Sequence, residues 1–239
     1  MKKRTISILT AAAVAALSAV SCLPDKEYMF SDTGMCTPIA INRLRTDSGS
    51  IYNVTENSTG TGISDTLKRV MISCDVTSQV PGTSNEYNIR IIDWAPADCR
   101  EAIYASSEEA ATAGDDGLNI VQAWVSGGHL NTFSNFAVLY DSETEHDVNL
   151  VYDDFRSNSD TLYFKMHQDG RGESPQNEEY DIPRFAIVGC YSSFPISSII
   201  DGTTAGGKAP ILHLEWDWYD DDGMITRTKT TRSGNVLIQ

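Results

Sequence analysis

The chain has 239 residues, with 33 Asp plus Glu against 18 Lys plus Arg, a net charge of -15, 41% hydrophobic residues and five Cys. So acidic a chain lacks the basic footprint that phosphate contacts need, so no nucleic-acid partner is expected, nor an anionic membrane surface held by charge. The composition also excludes a collagen, a coiled coil and a multi-span membrane protein.

At the N-terminus, Met1-Lys2-Lys3-Arg4 precedes an apolar run of small residues from Ile6 to Val20 and then Ser21-Cys22, the layout of a secretory signal. The run is too short and too rich in Ala and Ser to stay as a spanning helix, and no second apolar run of about 20 residues follows. Ala19-Val20-Ser21-Cys22 resembles a bacterial lipobox, in which small residues admit a signal peptidase and the Cys thiol receives diacylglycerol. On that reading residues 1–21 are the signal, Cys22 is the lipid attachment site and residues 22–35 are a polar tether. Ordinary cleavage with an unmodified Cys22 is the alternative, because Ala19 stands where the lipobox prefers Leu. Cleavage removes Lys2, Lys3 and Arg4 and no acid, leaving 15 bases against 33 acids, net -18. The expected address is the bacterial cell envelope, with the protein held to a membrane, the outer one, through lipid.

Residues 36–104 contain short β-branched runs at 37–45, 51–55, 67–77 and 86–94, separated by turn chemistry such as Asp47-Ser48-Gly49, a pattern of about five strands. Residues 105–117 hold no large apolar side chain to bury, and are expected to be a linker or exposed loop. Further strands are expected at 121–126, 136–140, 146–152, 161–167, 185–191, 211–219 and 225–231. Alternation is clearest at Leu212, Leu214, Trp216 and Trp218, which share one face while His213, Glu215 and Asp217 take the other, placing both Trp in a core. Asp222-Gly223 is a hairpin signal, and the alternating Arg and Lys that follow read as edge-strand protection.

Residues 123–131 (Ala-Trp-Val-Ser-Gly-Gly-His-Leu-Asn), 147–153 (Asp-Val-Asn-Leu-Val-Tyr-Asp) and 160–164 (Asp-Thr-Leu-Tyr-Phe) resemble the NigD-like proteins, a family of cell-envelope lipoproteins. The resemblance implies an all-β fold: a small N-terminal OB-like barrel at 36–104, then an antiparallel β-sandwich at 118–239. It brings no catalytic residues.

Four Cys remain after Cys22. In an exported chain Cys36, Cys74, Cys99 and Cys190 allow two bridges in three connectivities, and one bridge within the first body beside two free thiols is an equal alternative. No Cys-x-x-Cys is present, and His129, His146, His167 and His213 are scattered without ligand spacing, so no metal or other cofactor is expected. Residues 202–209 nearly spell a P-loop, but Ala209 stands where a Mg²⁺-holding hydroxyl belongs, Pro210 follows, and a strand rather than a helix comes next. Neither the Asp220-Asp221-Asp222-Gly223 turn nor Asp115-Asp116-Gly117 has EF-hand spacing, although a looser calcium site could use either. Asp65-Thr66-Leu67 and Asp160-Thr161-Leu162 resemble Asp-Thr-apolar sites for O-glycosylation of envelope proteins, against a plainer reading in which each Thr opens a strand.

No nucleophile elbow or local Ser/His or Cys/His signature occurs. The leading expectation is therefore a non-enzymatic, lipid-anchored binding or structural module for an extracytoplasmic protein or glycan. A fimbrial or surface-assembly subunit and an unrecognised glycan-active enzyme are the rivals.

Overall fold

A computed structural model of the chain describes residues 28–203, 209–219 and 225–238. The signal, Cys22, the P-loop-like residues 204–208 and the acidic turn at 220–223 lie outside the described residues. Strands β1 (Phe30–Ala40), β2 (Arg43–Thr46), β3 (Ile51–Asn57), β4 (Arg69–Gln79) and β5 (Glu86–Cys99) close into a ring in the order β1-β2-β3-β5-β4, with β3 and β5 parallel. This is the Greek-key barrel of the OB class. Alternation fills it: Val70, Ile72, Cys74 and Val76 of β4 point inward with Leu44, Tyr52, Ile89 and Ile91, while Arg69, Met71 and Ser73 point out.

The rest of the chain is a sandwich. Strands β7 (Leu118–Ser126), β8 (His129–Leu139) and β11 (Phe185–Pro195) form one layer, and β6 (Ile103–Tyr104), β9 (Asp147–Asp153), β10 (Thr161–Asp169), β12 (Ile211–Trp218) and β13 (Thr230–Leu237) the other. A short helix, α1 (Ser197–Thr203), follows β11. Leu118, Leu130, Phe136 and Phe194 from the first layer meet Leu150, Leu162, Phe164, Leu212 and Leu214 from the second in one apolar core. Trp218 is buried and Trp216 packs half-buried against that core, as the alternation predicts. Pairing is antiparallel except between β10 and β12 and between β6 and β9, which run parallel.

The barrel and the sandwich share one sheet. β5 runs past the barrel, and its last residues pair in parallel with β11 (Tyr191 with Ala97, Ser192 with Asp98, Ser193 with Cys99), so eight strands run from β3 to β7 without a break.

Three boundaries differ from the sequence reading. β1 starts at Phe30, inside the segment read as tether, and Phe30 to Cys36 pair with β4. Residues 105–117 do not separate two bodies: β6 already belongs to the sandwich, and the segment is tied to it by bonds from Asn149 Nδ2 to the Ala113 carbonyl and from Asp116 N to the Gln168 carbonyl. Backbone groups rather than large side chains hold it, which is why its composition reads as a linker. The last strand spans Thr230–Leu237, not 225–231; Arg227 instead clamps the carbonyls of Pro175, Asn177 and Tyr180, and Lys229 pairs with Asp115.

The cysteines are also corrected. Cys36, Cys74, Cys99 and Cys190 are all free thiols. Cys36 sits opposite Val70 and Cys74 opposite Asp32, four register positions apart and therefore about 13 Å along the strand, beyond disulfide reach. Cys99 and Cys190 lie an odd number of positions apart across β5 and β11, so they point to opposite faces. Burial pushes all four thiols above their ordinary value, Cys74 to about 12, which keeps them inert as nucleophiles.

Candidate functional site

Where the shared sheet bends at β5 and β11, its outward faces converge in a trough. The barrel side presents Thr33, Met35, Met71 and Ser73, and the sandwich side Trp124 and Tyr191, with Phe133 beside Tyr191 on the same sheet face. Two recesses lie along it. One, a cavity of about 260 Å³, is lined by Asp32 to Cys36, by Thr46 at the end of β2, by Asp47 and Ser48 of the β2–β3 loop, and by Trp124 and Ser126 of β7. The other, about 100 Å³, is lined by Met71, Ser73, Asp93, Trp94, Ala95 and Tyr191. Both recesses touch Thr33 and Ile72, so they are parts of one elongated site.

A buried polar network forms its floor. Arg69 points out of the barrel under the sandwich, and its guanidinium grips Asp47 with both arms, Nη1 to Oδ1 at 2.6 Å and Nη2 to Oδ2 at 2.8 Å. The remaining donors reach Ser193 Oγ (3.2 Å), Thr37 Oγ1 (3.1 Å) and Asn131 Oδ1 (3.4 Å). Ser126 donates to Asp47 Oδ2 at 2.5 Å, and Ser193 to Asn131 Oδ1 at 2.8 Å. The Arg69 and Asp47 side chains are only 4% and 11% exposed, so this fork-to-fork pair is screened little by water. The network takes members from β1, the β2–β3 loop, β4, β7, β8 and β11, fixing the bend of the sheet.

The β7–β8 turn allows this closeness. Gly127 and Gly128 both have positive φ, +56° and +77°, as a two-residue hairpin turn of the primed type requires. A Cβ on Gly127 would stand 2.5 Å from Asp47 Oδ1.

The aromatic wall is also built. Phe133 and Tyr191 meet at 4.8 Å between centroids and 39° between planes, and Phe133 lies across the bare backbone of Gly189, where a Cβ would sit 2.7 Å from its Cζ. Trp124 pairs with Asn131 on β8, two residues from Phe133, making it a diagonal neighbour on the same face, about 7–8 Å away. Asp32, paired with the inward-pointing Cys74, turns its carboxylate to the barrel mouth, where it accepts from Tyr52 (2.5 Å) and from the Thr33 amide (2.8 Å).

Sequence reasoning did not find this site. Trp124, Gly127, Gly128 and Asn131 all fall in the segment that carries the family resemblance, but their partners Asp47, Arg69 and Ser193 come from runs with no local signature. The residues singled out from sequence fall elsewhere. The four His are apart: His129 and His167 contact the Gly127 and Gly114 carbonyls through Nδ1, His213 contacts Asn235, and His146 contacts Gln168. Among the described residues no group of three or more His, Cys, Asp or Glu side chains is arranged to hold a metal ion. At Asp115-Asp116-Gly117, Asp115 pairs with Lys229 at 3.0 Å and Asp116 accepts from Gly170 N at 2.8 Å, so its carboxylates serve loop contacts. Thr66 is exposed in the β3–β4 loop, bonded to Ser64 at 2.7 Å, whereas Thr161 opens β10 half-buried. No described helix is long and apolar enough to cross a membrane.

Comparison with known proteins extends these observations. No curated protein sequence matches the chain. Among solved structures, a protein of unknown function from Bacteroides vulgatus aligns over 87% of this chain and 92% of its own with a TM-score of 0.58 at 17% identity. A NigD-like immunity protein from Bacteroides caccae aligns over 84% and 91% (TM-score 0.57, 18% identity), and a candidate lipoprotein from Bacteroides fragilis over 87% and 97% (TM-score 0.57, 12% identity). At such identities the likeness establishes a common fold. Residues 101–222, more than half of the chain, match the NigD-like C-terminal beta sandwich domain, and the chain belongs to the NigD-like family.

Proposed function

We propose that the protein is a lipid-anchored cell-envelope protein that works by binding, without catalysis, and holds an extracytoplasmic ligand in the trough between barrel and sandwich. The observation that carries this reading is the preorganised floor: a saturated Arg69–Asp47 pair clamps both bodies so that the trough walls keep their spacing before any ligand arrives. Asp47 has both oxygens held by Arg69, and Asp32 spends both on Tyr52 and the Thr33 amide. Carboxylates tied to protein donors in this way hold the walls in place and do not suit the proton shuttling of a glycoside hydrolase.

The lipobox-like end of the signal supports the envelope address, and the B. fragilis candidate lipoprotein agrees with it. Thr66, exposed on its loop, is the better placed of the two O-glycosylation positions, and intact-mass spectrometry of protein from its native host reads that modification directly.

The address is tested by fractionation beside intact-cell proteolysis. Wild type is expected in the membrane fraction and Cys22→Ala in the soluble one. Digestion on intact cells places the protein at the surface, whereas protection until lysis places it in the periplasm. Wild-type protein in the soluble fraction, or an unchanged membrane fraction for Cys22→Ala, would overturn the anchor.

A further inference from the structure

We infer that the trough is a carbohydrate site that takes a neutral oligosaccharide chain, with sugar rings laid on Trp124 and on Tyr191, which Phe133 backs, and sugar hydroxyls bonded to Asp93 and the neighbouring hydroxyls. This deepens the binding reading above and rests on it.

A pyranose ring has an apolar C–H face and a rim of O–H groups. Its receptor needs flat aromatic surface beside fixed hydrogen-bond acceptors, and the trough supplies both. Trp124, Phe133 and Tyr191 stand on successive strands β7, β8 and β11, on one face, in an oblique row. The bare Gly189 is what lets the middle ring lie flat in that row.

The rest of the lining is rich in acceptors and poor in donors. Asp93 contributes an exposed carboxylate, and Thr33, Ser48, Ser73 and Ser126 contribute hydroxyls that adapt to either role. Arg69, the cation beneath the trough, directs its side-chain donors to Asp47, Ser193, Thr37 and Asn131. A ligand that brings O–H donors without negative charge satisfies this lining, and a uronate, sulfate or phosphate meets like charge.

The shape favours a chain over a single small molecule, because the two recesses adjoin at Thr33 and Ile72 as an elongated trough. Most of the walls are strand faces, offering side chains rather than backbone groups. Two edges run along the site, β7 at the end of the shared sheet and the half of β1 before Cys36, which pairs with β4 but not with β2, and an extended peptide adding to the β1 edge is the competing occupant.

The test uses the full mature chain with Cys22→Ala, titrated by calorimetry and by ligand-observed NMR. The probes are neutral gluco-, manno-, xylo- and N-acetylglucosamine oligosaccharides, an oligogalacturonate, and a library of extended peptides. Expected is binding of at least one neutral series, tighter with chain length, with no binding of the oligogalacturonate. Trp124→Ala and Tyr191→Ala should each weaken binding about tenfold or more, while Phe155→Ala, an exposed aromatic away from the trough, leaves it unchanged. Circular dichroism of each variant verifies folding. If no neutral oligosaccharide binds but a peptide does, and Trp124→Ala abolishes it, the trough is a site and the carbohydrate assignment is wrong. If nothing binds in a Trp124-dependent way, the binding reading falls with it.

Discussion

Asp47 and Arg69 show how much of this fold rests on two side chains. Each is a charge taken out of water, and each is tolerated because the other is bonded to it twice. Arg69→Met leaves Asp47 charged and unpaired in a buried site, a change expected to cost about 3–5 kcal/mol, read as a lower urea midpoint. Arg69→Lys keeps the charge but loses the fork and should recover only part of that. The double variant Arg69→Met/Asp47→Leu removes both charges and should regain most of it; a double variant as unstable as Arg69→Met would show that the pair is not the cause. Glu173 makes a similar argument in pH. Burial pushes its carboxyl up, but hydrogen bonds from Ser142 and Thr144, both 2.6 Å, and the His146 imidazole outweigh burial and hold it below the ordinary 4.5. A carboxylate with a depressed folded pKa stabilises the fold above its unfolded value, and that stabilisation is lost as pH falls through the folded value. Glu173→Gln should therefore unfold at a lower temperature than wild type at neutral pH, and the gap should close in the acid limb below pH 4.5. A gap that stays constant down to about pH 2 would refute the assignment.

Turns and strands carry the next level of constraint. At Gly127 a side chain is opposed twice, by the left-handed backbone and by Asp47 Oδ1, whereas at Gly82 the φ of +83° is opposed by the backbone alone, with open space around the Cβ position. Gly82→Ala should cost about 1–2 kcal/mol. Gly127→Ala should cost about 2 kcal/mol more, because it also pushes Asp47 off Arg69, and equal losses in thermal unfolding would sever the turn from the network. The same contrast explains what was legible in the sequence. β12 announces itself because it is buried on one face only, so Leu212, Leu214, Trp216 and Trp218 alternate with polar residues. β13 and the start of β1 do not, because an edge strand and a rim strand have little apolar surface to bury: 230–237 is Thr-Thr-Arg-Ser-Gly-Asn-Val-Leu and 30–34 is Phe-Ser-Asp-Thr-Gly. The trough was invisible for another reason. Arg69 is 62 residues from Asn131 and 124 from Ser193, and no local window can register a hydrogen bond across such a separation.

At the scale of the whole molecule, the question is whether two β bodies fold as one. The ladder joining them is short, three register pairs between β5 and β11. A barrel of this size has about 4–10 kcal/mol of stability by itself, so a coupling of about 3–5 kcal/mol from the Arg69–Asp47 network is comparable to what it must overcome. The wild-type protein is therefore expected to unfold in a single transition. Native-state hydrogen exchange in rising denaturant measures this: amides of β4, in the barrel wall, and of β10, in the sandwich, should converge on one opening free energy. In Arg69→Met the two sets should separate, because the ladder remains while the clamp is gone. Separate openings already in the wild type would mean that barrel and sandwich are independent and the trough walls are free to move. Coincident openings in Arg69→Met would mean that the three-pair ladder suffices, and the buried network would then serve the shape of the trough alone.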